Sequence, residues 1–454
     1  MVESLHGLTD ETEQLARRVL DLVLERQRQQ PWPLGSAATS AELAERVGQT
    51  ITPSGLGGLE ALRRWVESLG TATVAADHPR YFAFIPHAPT EAAVIFDLLV
   101  GMSGIYAGSW LEASGAVYAE NEALRWLSDL AGFPPEAGGT FVPGGTLGNL
   151  SALHAARHAA LLQRGGARPA RWQLAASVEA HSSIAQAARI LDVDLIDVPV
   201  DASHRLTGAN LRAALDASAG DGLFAVVASA GATNLGAIDD LRGVAEVCRE
   251  RGSWLHVDGA YGLAALAAPS KRASFSGIEL TDSFIVDPHK WLFAPYDSCA
   301  LVYRDPVLAR KAHGQSAPYL DALNERNEWN PADYAVHLSR RARGLPFWFS
   351  LAVHGTDAYA EAIETTLAVT RQAADEIRAR PYLELLIEPE LTVLVFRRHG
   401  WTNTDYDAWS ARLFGSGAAF VMPTRFQGTN AARIVILNPR TTLADVEIVL
   451  DAMR

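Results

Sequence analysis

The 454-residue sequence contains little cysteine and carries an excess of negative charge. Its only cysteines, Cys248 and Cys299, lie in different segments, so we expect no disulfide framework, no metal site and a reducing, cytoplasmic environment. The formal net charge of −13 disfavours nucleic acid and anionic membrane surfaces as partners. A local basic pocket that binds phosphate remains compatible with this charge.

The sequence also lacks a long hydrophobic segment of the kind that spans a membrane. The longest apolar stretch, residues 92–110, contains Asp97 and several glycines, which predicts a buried helix and loop. The first ten residues do not combine a basic region with an apolar core, so we expect no secretory signal. With 48% hydrophobic and 20% charged residues, the composition is typical of a globular protein with one large core and one or two smaller domains.

Lysine is much rarer than arginine. The chain has three lysines, Lys271, Lys290 and Lys311, against 36 arginines. Lys290, in the segment Val-Asp-Pro-His-Lys290-Trp, therefore indicates chemistry that a guanidinium cannot perform. A neutral amine attacks an aldehyde to form a Schiff base, whereas arginine stays protonated in proteins. Lys290 is predicted to be a nucleophile.

A carboxylate, Asp258, ends the apolar segment Trp-Leu-His-Val-Asp258, which is typical of a buried strand. An aspartate and a Schiff-base lysine on neighbouring strand ends are the two groups that tune pyridoxal phosphate electronically. At roughly 4 Å and an effective dielectric near 20, a carboxylate stabilises a pyridinium by about 4 kcal/mol, which keeps the ring protonated and a strong electron sink. Partial burial and this nearby cation are expected to lower the pKa of Lys290. A structural ion pair is the alternative interpretation of Asp258.

Helical periodicity and apolar runs divide the chain into three parts. Residues 1–76 are predicted to form an N-terminal helical segment, whose first helix is opened by a capping box of Asp10 and Glu13. In residues 77–345, helical stretches alternate with short apolar runs, which indicates a large α/β domain with a mostly parallel sheet covered on both faces. Residues 346–454 are predicted to form a smaller α+β domain. The apolar runs of the large domain are 223–229, 254–257, 283–286 and 300–303.

Three further segments are candidates for ligand binding at strand ends. The loop Gly144-Gly145-Thr146 precedes an apolar-striped helix, whose N-terminal amides are suited to a phosphate, although a plain helix cap also explains the loop. His181 is suited to stack on a flat pyridine ring, and the alternative is a histidine that only flanks a helix. Thr233 follows a predicted strand and is placed to hydrogen-bond the cofactor, with an ordinary turn as the alternative.

Together these segments resemble the group II pyridoxal-phosphate-dependent decarboxylases, the family of the aromatic L-amino acid, glutamate, histidine and tyrosine decarboxylases. The resemblance covers most of the chain. It implies a fold-type I α/β enzyme with a mostly parallel seven-stranded sheet. It also implies a homodimer with its active sites at the interface, in which the N-terminal segment clamps the two subunits. The motifs that carry it, in order, are His78-Pro-Arg-Tyr-Phe-Ala-Phe-Ile-Pro, the loop 144–149, Ala-His181-Ser-Ser, the Thr233 segment, His-Val-Asp258, Asp-Pro-His289-Lys290-Trp-Leu and Ser339-Arg-Arg-Ala-Arg-Gly-Leu-Pro-Phe-Trp.

The resemblance also implies individual roles. Lys290 is the residue that forms the Schiff base with pyridoxal 5′-phosphate, Asp258 contacts the ring nitrogen, and His181 stacks on the ring. In the family, a tyrosine on a loop after the lysine strand crosses the dimer interface and protonates the substrate carbon once carbon dioxide has left. Tyr319 is the matching residue here, with an ordinary loop tyrosine as the alternative. Contacts to the phosphate or to the rest of the cofactor are implied for Gly145, Thr146, His289, Thr233 and Ala260.

By position, Ile85, His87 and Tyr106 are expected to bind the substrate side chain, with a loop histidine that has no such role as the alternative for His87. Gly108 falls where aromatic-specific members of the family carry a bulky aromatic residue, which predicts a roomier or differently shaped pocket. The chain is typical of a divergent branch, because it departs from the usual family pattern at Ala113-Ser114, Leu147-Gly148 and Pro346.

The leading hypothesis is decarboxylation of an L-amino acid, with an aromatic or bulky apolar side chain favoured, to the primary amine and carbon dioxide. Family members with phenylalanine at the position of Tyr319 form aldehydes, so tyrosine here favours the amine. An oxidative aldehyde synthase, or another carbon-carbon lyase of the same fold, is the second hypothesis. A non-catalytic dimer that binds only pyridoxal phosphate or a partner protein is the third. The substrate stays open, because one methylene changes discrimination by only about 1 to 3 kcal/mol.

Overall fold

The computed structural model describes residues 6–29, 31–315 and 328–454, and its largest element is a seven-stranded sheet. The strands are Gly138–Val142 (β1), Gln173–Ser177 (β2), Asp194–Val198 (β3), Leu223–Ser229 (β4), Trp254–Asp258 (β5), Ser283–Val286 (β6) and Cys299–Tyr303 (β7). They are arranged in the order β1-β7-β6-β5-β4-β2-β3. The β6-β5-β4-β2-β3 part is parallel throughout, and β7 runs antiparallel to both of its neighbours. The prediction of a mostly parallel seven-stranded sheet is therefore confirmed.

The large sheet separates two hydrophobic cores. In β4, Val226 and Ala228 pack into one core, whereas Ala225 and Val227 pack into the other, because successive side chains of a strand point to opposite faces. This explains why the strand is apolar without interruption: helices cover both of its faces. The helices up to the end of this sheet are Asp10–Arg28 (α1), Ser40–Val47 (α2), Gly58–Arg64 (α3), Glu91–Met102 (α4), Trp110–Leu130 (α5), Gly145–Gln163 (α6), Ser182–Leu191 (α7), Gly208–Ala217 (α8), Leu241–Arg251 (α9) and Pro306–His313 (α10).

A second, four-stranded sheet lies in the C-terminal part. Its strands are Leu383–Leu385 (β8), Val393–Arg398 (β9), Thr424–Phe426 (β10) and Thr429–Val435 (β11), and they are antiparallel in the order β10-β11-β9-β8. The helices of this part are Leu345–Ala379 (α11), Asn403–Gly415 (α12) and Leu443–Asp451 (α13). The domain boundaries after residues 76 and 345 stay predictions; the second coincides with the first turn of α11.

The N-terminal helix begins one residue earlier than its predicted capping box. Thr9 is the N-cap: its hydroxyl accepts a hydrogen bond from the Thr12 amide, and the Thr12 hydroxyl accepts one from the Thr9 amide. Asp10 and Glu13 instead lie in the first turn, where the helix dipole favours their negative charge. The prediction of a helix was right, and the predicted pair of cap residues was wrong.

Helix α4 is less buried in the single chain than its apolar sequence predicts. Only Ala93 and Val100 are fully buried, while Leu99 is 56% exposed and Met102 is 86% exposed. None of the helices in the described part of the chain combines the length and the apolar character that a bilayer crossing requires. The apolar face of α4 is therefore available to another protein surface.

A buried ion pair joins three segments next to the large sheet. Both guanidinium Nη atoms of Arg340 donate to the Glu120 carboxylate, at 2.7 and 2.8 Å, and both side chains are at most 2% exposed. Arg340 also donates to the carbonyl of Ala107, and Glu120 accepts the amide of Gly344. The pair thus connects α5, the loop before it and the start of α11.

We expect Glu120→Gln to destabilise the fold strongly, because it leaves the Arg340 charge buried without its counter-charge. Breaking a buried pair in this way costs about 3 to 5 kcal/mol. The thermal unfolding midpoint measures the effect. Glu13→Gln is the matched control, since Glu13 and its partner Arg17 are 49% and 74% exposed and such pairs contribute only about 0 to 1 kcal/mol. Equal midpoints for the two variants would contradict the structural importance of the buried pair.

Candidate active site

A cavity of about 280 Å³ lies at the carboxyl ends of the parallel strands. Asp258 is the last residue of β5, and the turn after β6 contributes Asp287 and Lys290. The eight residues predicted to contact the cofactor all line this one cavity: Gly145, Thr146, His181, Thr233, Asp258, Ala260, His289 and Lys290. The fold therefore brings together residues that are up to 145 positions apart in the sequence.

The amine of Lys290 forms an ion pair with Asp287, three residues earlier. The distance from Nζ to Oδ2 is 2.8 Å, and the Asp287 side chain is 2% exposed. Burial lowers the pKa of Lys290, but the charge and hydrogen bond of Asp287 outweigh burial and the net shift is upward. The sequence-based prediction of a lowered lysine pKa rested on burial and on the cation of the cofactor. In the chain by itself the shift of this pKa is upward, because Asp287, which that prediction did not consider, contacts the amine.

Asp258 is held by two hydrogen bonds. Its Oδ2 accepts from the side-chain amide of Asn149 at 2.9 Å, and its Oδ1 accepts from the backbone amide of Ala260 at 3.1 Å. The residue is 9% exposed. Both of these described partners are neutral donors, so neither places a counter-charge against the carboxylate.

The start of α6 borders the same cavity. Gly144 precedes the helix and, among the described residues, no side chain caps the first turn, so the amides of Gly145 and Thr146 face the cavity as hydrogen-bond donors. A Cβ atom added to Gly145 would lie 3.1 Å from Ile285 and 3.3 Å from Ala260. A side chain at this position would therefore crowd its neighbours, and the uncapped first turn is the kind of helix N-terminus that suits an anion.

His181 and Thr233 both line the cavity. His181 is the N-cap of α7, where its Nδ1 accepts the backbone amide of Ser183 at 3.2 Å. It is thus a helix-capping residue as well as a cavity residue. The carbonyl of Thr233 accepts a hydrogen bond from Arg433 at 2.5 Å, and Arg433 also donates to the carbonyl of Phe84. Arg433 belongs to β11, so the small sheet holds the Thr233 loop in place.

His289 is oriented by a backbone contact. Its Nδ1 donates to the carbonyl of Ser298 at 2.6 Å, and its Nε2 lies 3.6 Å from Oδ2 of Asp287. Burial lowers the pKa of His289, and Asp287 opposes this effect. The ring is therefore fixed between the loop of Ser298 and the Asp287 carboxylate.

The residues predicted to bind the substrate side chain lie outside the lining of this cavity in the described part of the chain. His87 is 9% exposed, and its Nδ1 contacts the carbonyl of His289 at 2.8 Å. Ile85 packs against the main core, and the Tyr106 hydroxyl donates to the carbonyl of Leu338. A Cβ atom on Gly108 would collide with the Tyr106 ring, so the predicted extra space is filled within the chain. The predicted acid, Tyr319, lies outside the described residues.

The lining residues to which the sequence analysis gave no role include Asn149, Asp287 and Tyr296. Asp287 follows a buried strand, so the reasoning that identified Asp258 would also have found it. Asn149 lies one helical turn after Gly145, which places both on one face of α6. Tyr296 carries no comparable signal: its ring reaches the cavity only because the chain turns back after Lys290, and it stacks on His87 at a centroid distance of 4.2 Å.

The cavity fits pyridoxal phosphate group by group. Lys290 would supply an amine for the aldehyde, Asp258 a carboxylate for the ring nitrogen, and the amides of Gly145 and Thr146 donors for the phosphate. Oδ1 of Asp287 is buried and has no hydrogen-bond partner within the described ranges.

Comparison with known proteins agrees with this geometry. The model of the pyridoxal-dependent decarboxylase conserved domain matches residues 63–399. The aromatic-L-amino-acid decarboxylase of Bacillus atrophaeus is 28% identical over 98% of this chain and 95% of its own length. The L-2,4-diaminobutyrate decarboxylase of Rhizobium meliloti (strain 1021) is 33% identical over 83% of this chain and 77% of its own length.

The fold is similar to that of a solved structure described as Oryza sativa TDC with PLP and tryptamine. The TM-score is 0.90 with 23% identity, over 98% of both chains. The family match accounts for the cofactor, pyridoxal 5′-phosphate, and for the reaction, decarboxylation of an amino acid by a carboxy-lyase. The chain therefore belongs to the pyridoxal-dependent decarboxylase family.

Proposed function

We propose that the substrate is an L-amino acid with an aromatic or bulky apolar side chain and that the product is its primary amine. Tyr296 supports this proposal most directly. Its ring is half-exposed, lines the cavity beside Lys290 and is held by stacking on His87 and by contact with His289. A rigid aromatic wall favours a flat or bulky apolar side chain. Because the chain is 33% identical to an L-2,4-diaminobutyrate decarboxylase, 2,4-diaminobutyrate is the second candidate substrate.

The proposed roles follow from the positions of the side chains. Bound pyridoxal phosphate supplies an aldehyde for amines and an electron sink for the bond broken at the substrate α-carbon. Lys290 would hold the cofactor through its aldehyde and release it to the incoming amine, and Asp258 would keep a proton on the ring nitrogen. His181 would cover the ring, and Thr146 with the first amides of α6 would bind the phosphate. His289, Thr233 and Ala260 would complete the contacts.

A homodimer is part of the proposal. The exposed apolar side chains of α4, Ile95, Leu98, Leu99 and Met102, provide a surface that association would bury. We propose that each site is completed by its partner subunit, which supplies Tyr319 as the acid that protonates the α-carbon. Localisation to the cytoplasm stays a prediction; the free, buried thiols of both cysteines are consistent with it.

The substrate proposal is tested with a panel of amino acids that includes tryptophan, tyrosine, dopa, phenylalanine and 2,4-diaminobutyrate. We expect carbon dioxide and amine in equal amounts, with kcat/KM at least about 10-fold higher for an aromatic substrate than for diaminobutyrate. Carbon dioxide, amine, aldehyde and peroxide are measured together. A preference for diaminobutyrate would overturn the aromatic proposal, and aldehyde with peroxide as the main products would overturn the amine proposal.

The proposed exchange of Tyr319 between subunits is tested with a hybrid dimer of one Lys290→Ala and one Tyr319→Phe subunit, purified through two different tags. Each parent dimer should release little amine. In the hybrid, one of the two sites has both native residues, so about half of wild-type amine production is expected. A hybrid dimer of one Lys311→Ala and one Tyr319→Phe subunit is the control, because it also loses a lysine but keeps Lys290 in both subunits. A hybrid as inactive as its parents would show that Tyr319 does not act across the interface.

We expect Asp287→Asn to speed up cofactor capture by the cofactor-free protein at pH 8. Asp287 raises the pKa of Lys290, so removing its charge lowers that pKa. Below the pKa, each unit of decrease gives about tenfold more neutral amine. The rate of change in cofactor absorbance between pH 7 and 9 measures capture, and the pH dependence should move to lower pH. Asp297→Asn, which removes a carboxylate paired with Arg343 on the same loop, is the control. Unchanged rates in Asp287→Asn would contradict the control of Lys290 by Asp287.

A further inference from the structure

A chain of buried polar side chains lies behind the Asp258 carboxylate. Asn149 donates to Asp258 at 2.9 Å, and the Asn149 carbonyl oxygen lies 2.9 Å from Nε2 of His256. On its other side, Nδ1 of His256 lies 2.8 Å from the Ser283 hydroxyl, which accepts the indole N–H of Trp254 at 2.8 Å. Asn149, His256 and Ser283 are at most 1% exposed. Water therefore does not replace any of these contacts.

The hydrogens in this chain have a single consistent arrangement. An ionised carboxylate only accepts, so the Asn149 atom that faces Asp258 is the NH₂ group and the atom that faces His256 is the carbonyl oxygen. His256 must then carry a proton on Nε2. Burial lowers the pKa of His256 to about 4, with Asp258 opposing the shift, so the ring is neutral at pH 7 and has only that one proton. Its Nδ1 consequently accepts from the Ser283 hydroxyl.

The second N–H of Asn149 leads to His181. It donates to the Ser183 hydroxyl at 3.0 Å, and that hydroxyl lies 2.9 Å from Nδ1 of His181. Nδ1 also accepts the backbone amide of Ser183, so the nitrogen has no proton and the Ser183 hydroxyl donates to it. In the neutral ring, the proton of His181 is therefore on Nε2. Among the described residues, Nε2 of His181 has no hydrogen-bond partner that competes for this proton.

We propose that Asn149 is a positioning residue that orients two cofactor-facing groups at once: the Asp258 carboxylate directly and the His181 imidazole through Ser183. The side-chain amide suits this task because it has two donors and one acceptor on a planar group. An aspartate at position 149 would place two carboxylates against each other, and an alanine would leave His256 and Asp258 without their partner. The inference rests on the proposed contact of Asp258 with the ring nitrogen.

The test compares the affinity of cofactor-free protein for pyridoxal phosphate and for 1-deazapyridoxal phosphate, in which carbon replaces the ring nitrogen. Wild type should bind pyridoxal phosphate more tightly than the deaza analogue. Asn149→Ala should weaken binding of pyridoxal phosphate by roughly 10- to 100-fold, the effect of a lost hydrogen bond to a charged group. It should leave the affinity for the deaza analogue within about threefold. Equilibrium dialysis gives both dissociation constants without reference to turnover.

Ser151→Ala is the matched control. Ser151 is fully buried on the same helix and its hydroxyl accepts the Val336 amide, outside the Asn149 contacts. Any loss of affinity that Ser151→Ala causes should be equal for pyridoxal phosphate and for the deaza analogue. If Asn149→Ala does not fold, His256→Phe removes the donor to Asn149 and should reduce the preference for pyridoxal phosphate in the same direction.

The two dissociation constants distinguish a failure of the Asn149 role from a failure of the proposed Asp258 role. If wild type does not prefer pyridoxal phosphate over the deaza analogue, the role of Asp258 is wrong. If wild type does prefer it but Asn149→Ala weakens both cofactors equally, Asn149 is only structural and the inference is overturned.

The second part of the proposal, the orientation of His181 through Ser183, is tested by ¹⁵N NMR of histidine-labelled protein. The His181 signals are assigned by their loss in His181→Gln. In wild type, Nδ1 should show the shift of an unprotonated acceptor and Nε2 that of a protonated nitrogen. Ser183→Ala removes the hydroxyl donor but keeps the backbone amide, so the Nδ1 signal should shift while Nδ1 stays unprotonated. A protonated Nδ1 in the neutral His181 ring of wild type would overturn this part of the proposal.

Discussion

The register of three parallel strands is the constraint on which the site depends. In the sheet, Ser229 of β4 pairs with Asp258 of β5, and Asp258 pairs with Ile285 of β6. This register brings Asp258 to the same edge as the turn that contains Asp287 and Lys290. A shift of one residue would move Asp258 to the opposite face of the sheet, since side chains alternate along a strand. The apolar runs on both faces of β4 and β5 stabilise the register, because any other pairing would expose part of two hydrophobic cores.

Buried charge is the second constraint, and the protein compensates it differently at each place. Glu120 and Arg340 form an ion pair with two short hydrogen bonds, which holds α5 against the start of α11. Lys290 and Asp287 also form an ion pair, but both residues line the cavity and Lys290 is 22% exposed. Among the described residues, the hydrogen-bond donors that contact Asp258 are neutral. The first pair suits a structural role, whereas the charged groups at the cavity are placed to meet a ligand.

Much of this site was predictable, and the errors have identifiable physical causes. The strands were predictable because uninterrupted apolar runs of four to seven residues are typical of a sheet covered on both faces. That the eight predicted residues would line one cavity was predictable, because strand ends and a glycine loop before a helix recur at such sites. The upward shift of the Lys290 pKa was not predicted, because the turn after β6 places Asp287 against the amine. At Gly108 the sequence left the shape of the pocket open, because it did not show that the ring of Tyr106, two residues away, occupies that space. The exposure of α4 could not be read from its composition, since an apolar helix is buried either by its own chain or by another.

The sequence by itself determined the chemistry: a lysine among many arginines, a carboxylate at the end of a buried strand and a glycine loop before a helix. These features depend on residue type and on spacing along the chain, and they also carry the likeness to the decarboxylase family. Only the tertiary structure decided which partner each group has. Asn149 and Ser183 connect Asp258 with His181, and His256 contacts the other side of Asn149, although Asn149, Ser183 and His256 come from α6, α7 and β5. Hydrogen bonds act over about 3 Å, so they depend on how the elements pack, and spacing along the chain does not specify that.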